Sequence, residues 1–234
     1  MRQTFAATLS ALATCFAMGS PAVADGPTVI ELYTSQGCSS CPPADEILHD
    51  LAGQSDVIAL ALHVDYWDYI GWADIFADPA HTRRQQNYAR AAGASSIYTP
   101  QMVIGGVDHV IGAKPMDVGR LIRTHSARPT GTRISLQRSG NQLRISGQTA
   151  QALGNGTVVQ LIRFSPEETV DVRRGENAGR TLTYSNIVTQ WSAVGEWSGS
   201  GDLSMNVTIS GDSPVVVIVQ EPGPGAVMAS AVLR

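Results

Sequence analysis

The chain is 234 residues long, 43% hydrophobic and 15% charged, which is enough apolar material for a folded core and excludes a disordered chain. Its 16 Lys and Arg stand against 20 Asp and Glu; a net charge of −4 lacks the basic face that a dedicated nucleic-acid binder needs. The 3 cysteines are too few for a disulfide-stapled miniature, and the length allows one large domain or two small ones.

Arg2 opens a positive leader, the run from Phe5 to Met18 is apolar and small, and Ala22-Val23-Ala24 forms a small-residue cleavage site. The pattern predicts a signal peptide over 1–24 and a secreted or periplasmic mature protein. The run is too short to span a bilayer comfortably and nothing later replaces it, so no membrane span is expected. Leu12-Ala13-Thr14-Cys15 is a poor lipoprotein box, because Thr14 stands where a smaller residue is normal. Cleavage removes Cys15 and leaves Cys38 and Cys41 as the only thiols, in an oxidising compartment.

From residue 28 to 126 strand and helix signals alternate. Thr28 to Thr34 is a β-rich run, 37–40 a turn, and Pro42 to Ala52 a helix with proline at its start and Gly53 just after it. Val57 to Val64 is an apolar strand, followed by an irregular aromatic stretch over 65–77. Asp78-Pro79 is an N-cap pair and Gly93 a stop, framing a polar helix over 79–92. Runs 101–104 and 107–111 form a hairpin about Gly105-Gly106, and 115–126 a closing helix. Residues 127–131 read as a linker. Beyond it only strand signals occur, at 134–136, 143–146, 158–164, 170–173, 182–191, 203–209, 215–219 and 227–233. The expectation is an α/β domain over 26–126 followed by an all-β sandwich-like domain over 132–234.

Cys38-Ser39-Ser40-Cys41 follows a strand and opens a helix, the placement of a redox motif. Free amides and the positive end of the helix dipole favour a Cys38 thiolate, the nucleophile, and Cys41 one turn inside resolves a mixed disulfide. The plain alternative is a structural disulfide, although so short a loop stabilises by only about 2 kcal/mol. A third reading is copper binding or delivery, with Cu(I) on Cys38 and Cys41 and His63, His109 or Met102 as a further ligand, and a fourth is a non-catalytic binding module with an inactive redox fold. No two histidines have the i, i+4 spacing of a helical metal pair, so each is expected to be structural. The expected cofactor set is none beyond the disulfide itself.

Cys38-Ser39-Ser40-Cys41 after a strand, together with Tyr98-Thr99-Pro100-Gln101 before a hairpin, resembles the thioredoxin superfamily over roughly 26–126. The run from Glu31 through Asp45, with His63-Val64-Asp65-Tyr66-Trp67-Asp68 and Arg174-Gly175-Glu176-Asn177, is similar to a family of secreted bacterial thioredoxin-like proteins of unknown function. The resemblance implies attack by Cys38, resolution by Cys41, and a cis Pro100 facing the pair while the Thr99 backbone receives an extended substrate. It implies a protein or small thiol/disulfide substrate and a separate redox partner, and names neither. Leu32 stands where such proteins carry a buried acid, and Glu31 is one residue earlier. Glu31 is therefore a candidate proton relay to Cys41, against the alternative of an edge-facing or Arg-paired glutamate. Pro42-Pro43 removes two N–H groups from the helix entrance and weakens its support of a thiolate.

Tyr66, Trp67, Tyr69, Trp72 and Phe76 crowd the stretch after the second strand, where ligands meet α/β sheets. Tyr66 and Trp67 are read as a substrate wall with Asp65 beside them, against plain packing. Arg174 is a candidate carboxylate clamp, against a charged hairpin end. Asn155-Gly156-Thr157 and Asn206-Val207-Thr208 are glycosylation sequons relevant only to a eukaryotic secretory route.

Overall fold

The computed structural model describes residues 26–154 and 156–234. The expected signal peptide, the Cys15 box and Asn155 of the first sequon lie outside the described residues. The first half runs β1 (Thr28–Thr34), α1 (Pro42–Ala52), β2 (Val57–His63), α2 (Pro79–Ala91), β3 (Gln101–Ile104), β4 (Asp108–Ile111) and α3 (Pro115–Ser126). Each helix has proline in its first two positions, where a missing N–H breaks no intrahelical bond. Asp78, extended at φ −130°, caps α2 by accepting from the Ala80 amide.

β1 and β2 pair in parallel and are buried throughout, as central parallel strands require. Ile30, Leu32, Ala59 and Ala61 face α1 and α3, while Val29, Tyr33, Leu60 and Leu62 face the α2 side with Tyr88. A single 3-10 turn, Asp68–Ile70, interrupts the irregular stretch between β2 and α2.

The second half contributes β5 (Thr132–Ser139), β6 (Gln142–Thr149), β7 (Val158–Asp171), β8 (Thr181–Glu196), β9 (Leu203–Thr208), β10 (Val215–Gln220) and β11 (Val227–Leu233). Here the structure differs from the expected sandwich. β7, β8, β10 and β11 extend the first sheet into an eight-stranded mixed sheet, β11-β10-β7-β8-β2-β1-β3-β4, and β5, β6 and β9 form a separate three-stranded sheet. The reason lies in β10, which is apolar on both faces. Val216 and Ile218 join the core on the α2 side, while Val215, Val217 and Val219 pack with Leu143, Ile145 and Leu203 of the small sheet. A strand buried on both faces needs a layer on each side.

The join between the halves is narrow. β2 and β8 share one parallel bridge, Ala61 with Ile187. Beside it Asn186 adopts a left-handed φ of 50°, and its Nδ2 donates to the Ala59 carbonyl at 2.8 Å. The β7–β8 register holds from Ser165↔Ile187 to Glu167↔Ser185 past Pro166, which has no N–H to offer. Past this point β7 and β8 continue as an arm that crosses α1, where His49 Nδ1 meets Ser185 Oγ at 2.8 Å. The arm carries its tip, residues 172–180, to the turn that precedes α1.

Candidate functional site

The turn between β1 and α1 sets Cys38 and Cys41 at the start of α1, joined as a disulfide with Cα atoms 5.4 Å apart. Both cysteines are 0% exposed, whereas Ser39 and Ser40 between them are open to solvent. Pro42 and Pro43 leave the helix entrance poor in N–H donors. Hydroxyls take their place: Thr99 Oγ1 donates to Cys38 Sγ at 3.3 Å, and Ser40 Oγ lies 3.4 Å from the same sulfur. The Thr99–Pro100 bond is cis. Trp67 Nε1 donates to Thr99 Oγ1 at 2.8 Å, so an indole, a hydroxyl and a sulfur line up across the disulfide.

The arm tip grips the same turn from the other side. Buried Asn177 donates through Nδ2 to the carbonyls of Gln36 (3.0 Å) and Cys38 (2.9 Å), and the Ser39 amide donates to Glu176 Oε2 at 3.3 Å. Between tip and turn lies the aromatic stretch, in close contact with two glycines. A Cβ on Gly37 would meet Trp67 and Ile70 at 3.2 Å, and one on Gly175, at φ +76°, would meet Trp72 at 3.3 Å. Trp72 Nε1 donates to Gln36 Oε1, and Asp74 Oδ2 accepts from the Gln36 amide (2.8 Å) and from His63 Nδ1 (2.7 Å). Burial pushes the Asp74 carboxyl up, but the His63 charge and these hydrogen bonds outweigh it and hold it below its usual value.

A family described as a protein of unknown function (DUF1223) matches residues 29–220. The chain belongs to DUF1223. The crystal structure of a protein from Agrobacterium tumefaciens is 34% identical, with a TM-score of 0.75 over 88% of this chain and 93% of that one. HBP35 of Porphyromonas gingivalis shares the fold at 13% identity, with a TM-score of 0.56 over 90% of this chain and 75% of that one. No curated protein matches the chain.

In this DUF1223 member the residues singled out from sequence divide into two groups. Cys38, Cys41, Thr99, Pro100 and Trp67 meet at one place. Arg174 is exposed on the arm tip, two residues from Glu176. Tyr66 sits between α2 and the site: its hydroxyl donates to Gln85 Oε1 at 3.2 Å and lies beside Thr99, and burial pushes it up to about 12 against the pull of both. Asp65 is tied to α2 as well, accepting from Thr82 Oγ1 at 2.5 Å. The largest correction concerns Glu31. It lies on the face of β1 opposite Leu32, and its carboxylate accepts from Arg84 Nε (2.7 Å) and Nη2 (2.8 Å), Tyr88 (2.6 Å) and Tyr33 (2.9 Å). Strand alternation turns it from α1, so it is an Arg-paired glutamate and not a relay to Cys41. His63 is committed to Asp74, His109 Nδ1 lies 3.4 Å from Gln101 Nε2, and no group of three or more His, Cys, Asp or Glu among the described residues is placed to hold a metal ion.

Sequence reasoning passed over Gln36, Asp74, Asn177 and Asp45. Asn177 and Asp45 stood inside the quoted motifs, and Asp45 follows Cys41 by the four residues that put two side chains on one helix face.

Proposed function

We propose that the protein is a secreted thiol–disulfide oxidoreductase of thioredoxin-like organisation, working through Cys38 and Cys41 against the Thr99–Pro100 edge. One observation carries the reading: a disulfide at a helix start whose Cys38 sulfur accepts from Thr99, the residue of the cis peptide bond. In the reductive direction the Cys38 thiolate attacks a substrate disulfide, and one substrate sulfur leaves as thiolate. Cys41 then attacks Cys38 Sγ, forms the internal disulfide and releases the second substrate thiol. The substrate gains two electrons and the cysteine pair loses two; oxidation of a substrate dithiol is the reverse. Thr99 and Ser40 donate to the sulfur that carries the developing charge, in place of the missing proline amides. No described helix is long and apolar enough to cross a membrane, and the leader pattern supports export.

The full burial of both sulfurs favours a second reading, a structural disulfide. One experiment separates the two. Mature protein is incubated with a chromogenic aromatic disulfide and excess dithiol, beside Cys38→Ser. Catalysed turnover lost in Cys38→Ser supports the oxidoreductase. A disulfide that resists millimolar dithiol in the folded protein, or turnover retained in Cys38→Ser, sinks it.

A further inference from the structure

The face of the sheet beneath α1 ends in a polar layer with no part in the chemistry above. β1 and β2 stay in register to their last pair, Thr34 with His63. On the α1 face the apolar series Ile30, Leu32, Val57, Ala59 and Ala61 gives way at that pair to a hydroxyl and an imidazole. Directly above, α1 buries Asp45 beside Ala44 and Leu48, a core position of its amphipathic face. β8 closes the layer with Tyr184, whose ring centroid lies 4.8 Å from that of His63.

Five polar atoms here are buried without a well-formed protein hydrogen bond: both carboxyl oxygens of Asp45, His63 Nε2, Thr34 Oγ1 and the Tyr184 hydroxyl, with the Thr34 hydroxyl near enough to favour the Asp45 carboxylate. Orphaned buried polar atoms are rare, and a cluster of them calls for an account, a proton-handling role among those it can have. Burial raises the Asp45 carboxyl to about 7, against the pull of His63 and Thr34 and with the push of Asp74 and Glu46. Tyr184 faces the same carboxyl and is itself pushed up, by burial first and by Asp45 and Asp74 next, with Arg180 opposing.

Asp45 is also one helical turn from the disulfide. Its amide bonds to the Cys41 carbonyl at 3.1 Å, and side chains four apart on a helix share a face. A cleft of about 610 Å³ between α1 and the arm, lined by Pro42, Asp45, His49, Arg180 and Tyr184 among others, opens to solvent beside it.

We propose that Asp45 accepts and returns the proton of the Cys41 thiol during disulfide exchange, with the α1–arm cleft as the proton's route to solvent. The proposal rests on the oxidoreductase reading above. In the resolving step the Asp45 carboxylate takes the Cys41 proton through an intervening water, because neither carboxyl oxygen is bonded to a sulfur; Cys41 sulfur bonds to Cys38 Sγ, and the bond from Cys38 to the substrate sulfur breaks, releasing substrate thiolate. In the reverse step the Cys41 thiolate leaving the disulfide is reprotonated by Asp45. Asp45 touches no substrate atom; it serves as base and acid toward Cys41 alone. It replaces, from the helix above, the acid that Leu32 does not supply from the strand below.

The test is stopped-flow exchange of the reduced mature protein with a chromogenic disulfide between pH 5 and 9, with Asp45→Asn, Asp45→Glu and Cys38→Ser as variants. In the parent protein the resolving phase is expected to inflect near pH 7. In Asp45→Asn it slows by about 10²-fold at pH 7 and loses the inflection, while the first attack by Cys38 keeps its rate; Asp45→Glu restores part of the resolving rate. A resolving phase unchanged in rate and pH profile in Asp45→Asn overturns the proton role, and the oxidoreductase reading survives if Cys38→Ser is inactive. Retained exchange in Cys38→Ser overturns that reading itself. A second readout needs no variant: in the reduced parent protein, Cys41 alkylation and the Asp45 carboxyl carbon shift should titrate together, and independent titrations refute the coupling.

Discussion

At the scale of single residues, two buried carboxylates show how partners decide chemistry. Glu31 receives four donors, two of them from Arg84, which also lies 3.8 Å over the Trp191 ring. Removing one member of such a pair leaves an uncompensated buried charge, so its role is to tie β1 to α2. Asp45 has no well-formed hydrogen bond, only the nearby Thr34 hydroxyl, and burial pushes its proton release up to about 7. Stability then follows from linkage. Below pH 4 both the folded and unfolded states hold the proton and nothing is lost. Between about 4 and 7 the unfolded chain releases it while the folded protein keeps it, so stability falls as pH rises, and above 7 the loss stays constant. Asp45→Asn should therefore gain up to about 4 kcal/mol at pH 8 relative to its difference from the parent at pH 4. Denaturant melts at the two pH values measure this; a pH-independent difference would mean that Asp45 titrates as an exposed carboxyl does.

At the scale of elements, the aromatic stretch behaves as a cover. It lies between Gly37 and Gly175, and its Trp67 holds Thr99 against Cys38. A reductant reaches a sulfur with no exposed surface only when this cover moves. Trp67→Ala should speed reduction of the disulfide by dithiothreitol several-fold, followed by alkylation of the released thiols. An unchanged rate would move the gate elsewhere, to the arm tip at Glu176 and Asn177. The tip has its own logic, since one buried amide, that of Asn177, accounts for two carbonyls of the cysteine turn.

At the scale of the whole molecule, the second half completes the first. Leu60 and Leu62 of β2 share a core with Ile162, Phe164, Val188, Val216 and Ile218. A fragment ending at residue 126 would leave that apolar face open and β2 as an unpaired edge. We expect fragment 26–126 to aggregate or give a poorly dispersed amide spectrum, while the full mature chain unfolds in one transition. A well-dispersed fragment with its own cooperative melt would restore the division into two independent domains.

The sequence by itself determined the elements and the cysteine pair. The bounds of β1, α1 and α3 were legible because prolines, glycines and apolar runs act locally. The cysteine turn was legible because its four residues are contiguous. Two strand signals, at 158–164 and 170–173, belong to one strand, β7, because pairing with β8 carries the backbone across Pro166. Only the tertiary structure decided which way Glu31 faces, since alternation leaves the choice to whichever layer covers the strand. It alone brought Asn177 over Cys38 and Tyr184 over His63, contacts spanning more than a hundred residues that no local pattern encodes.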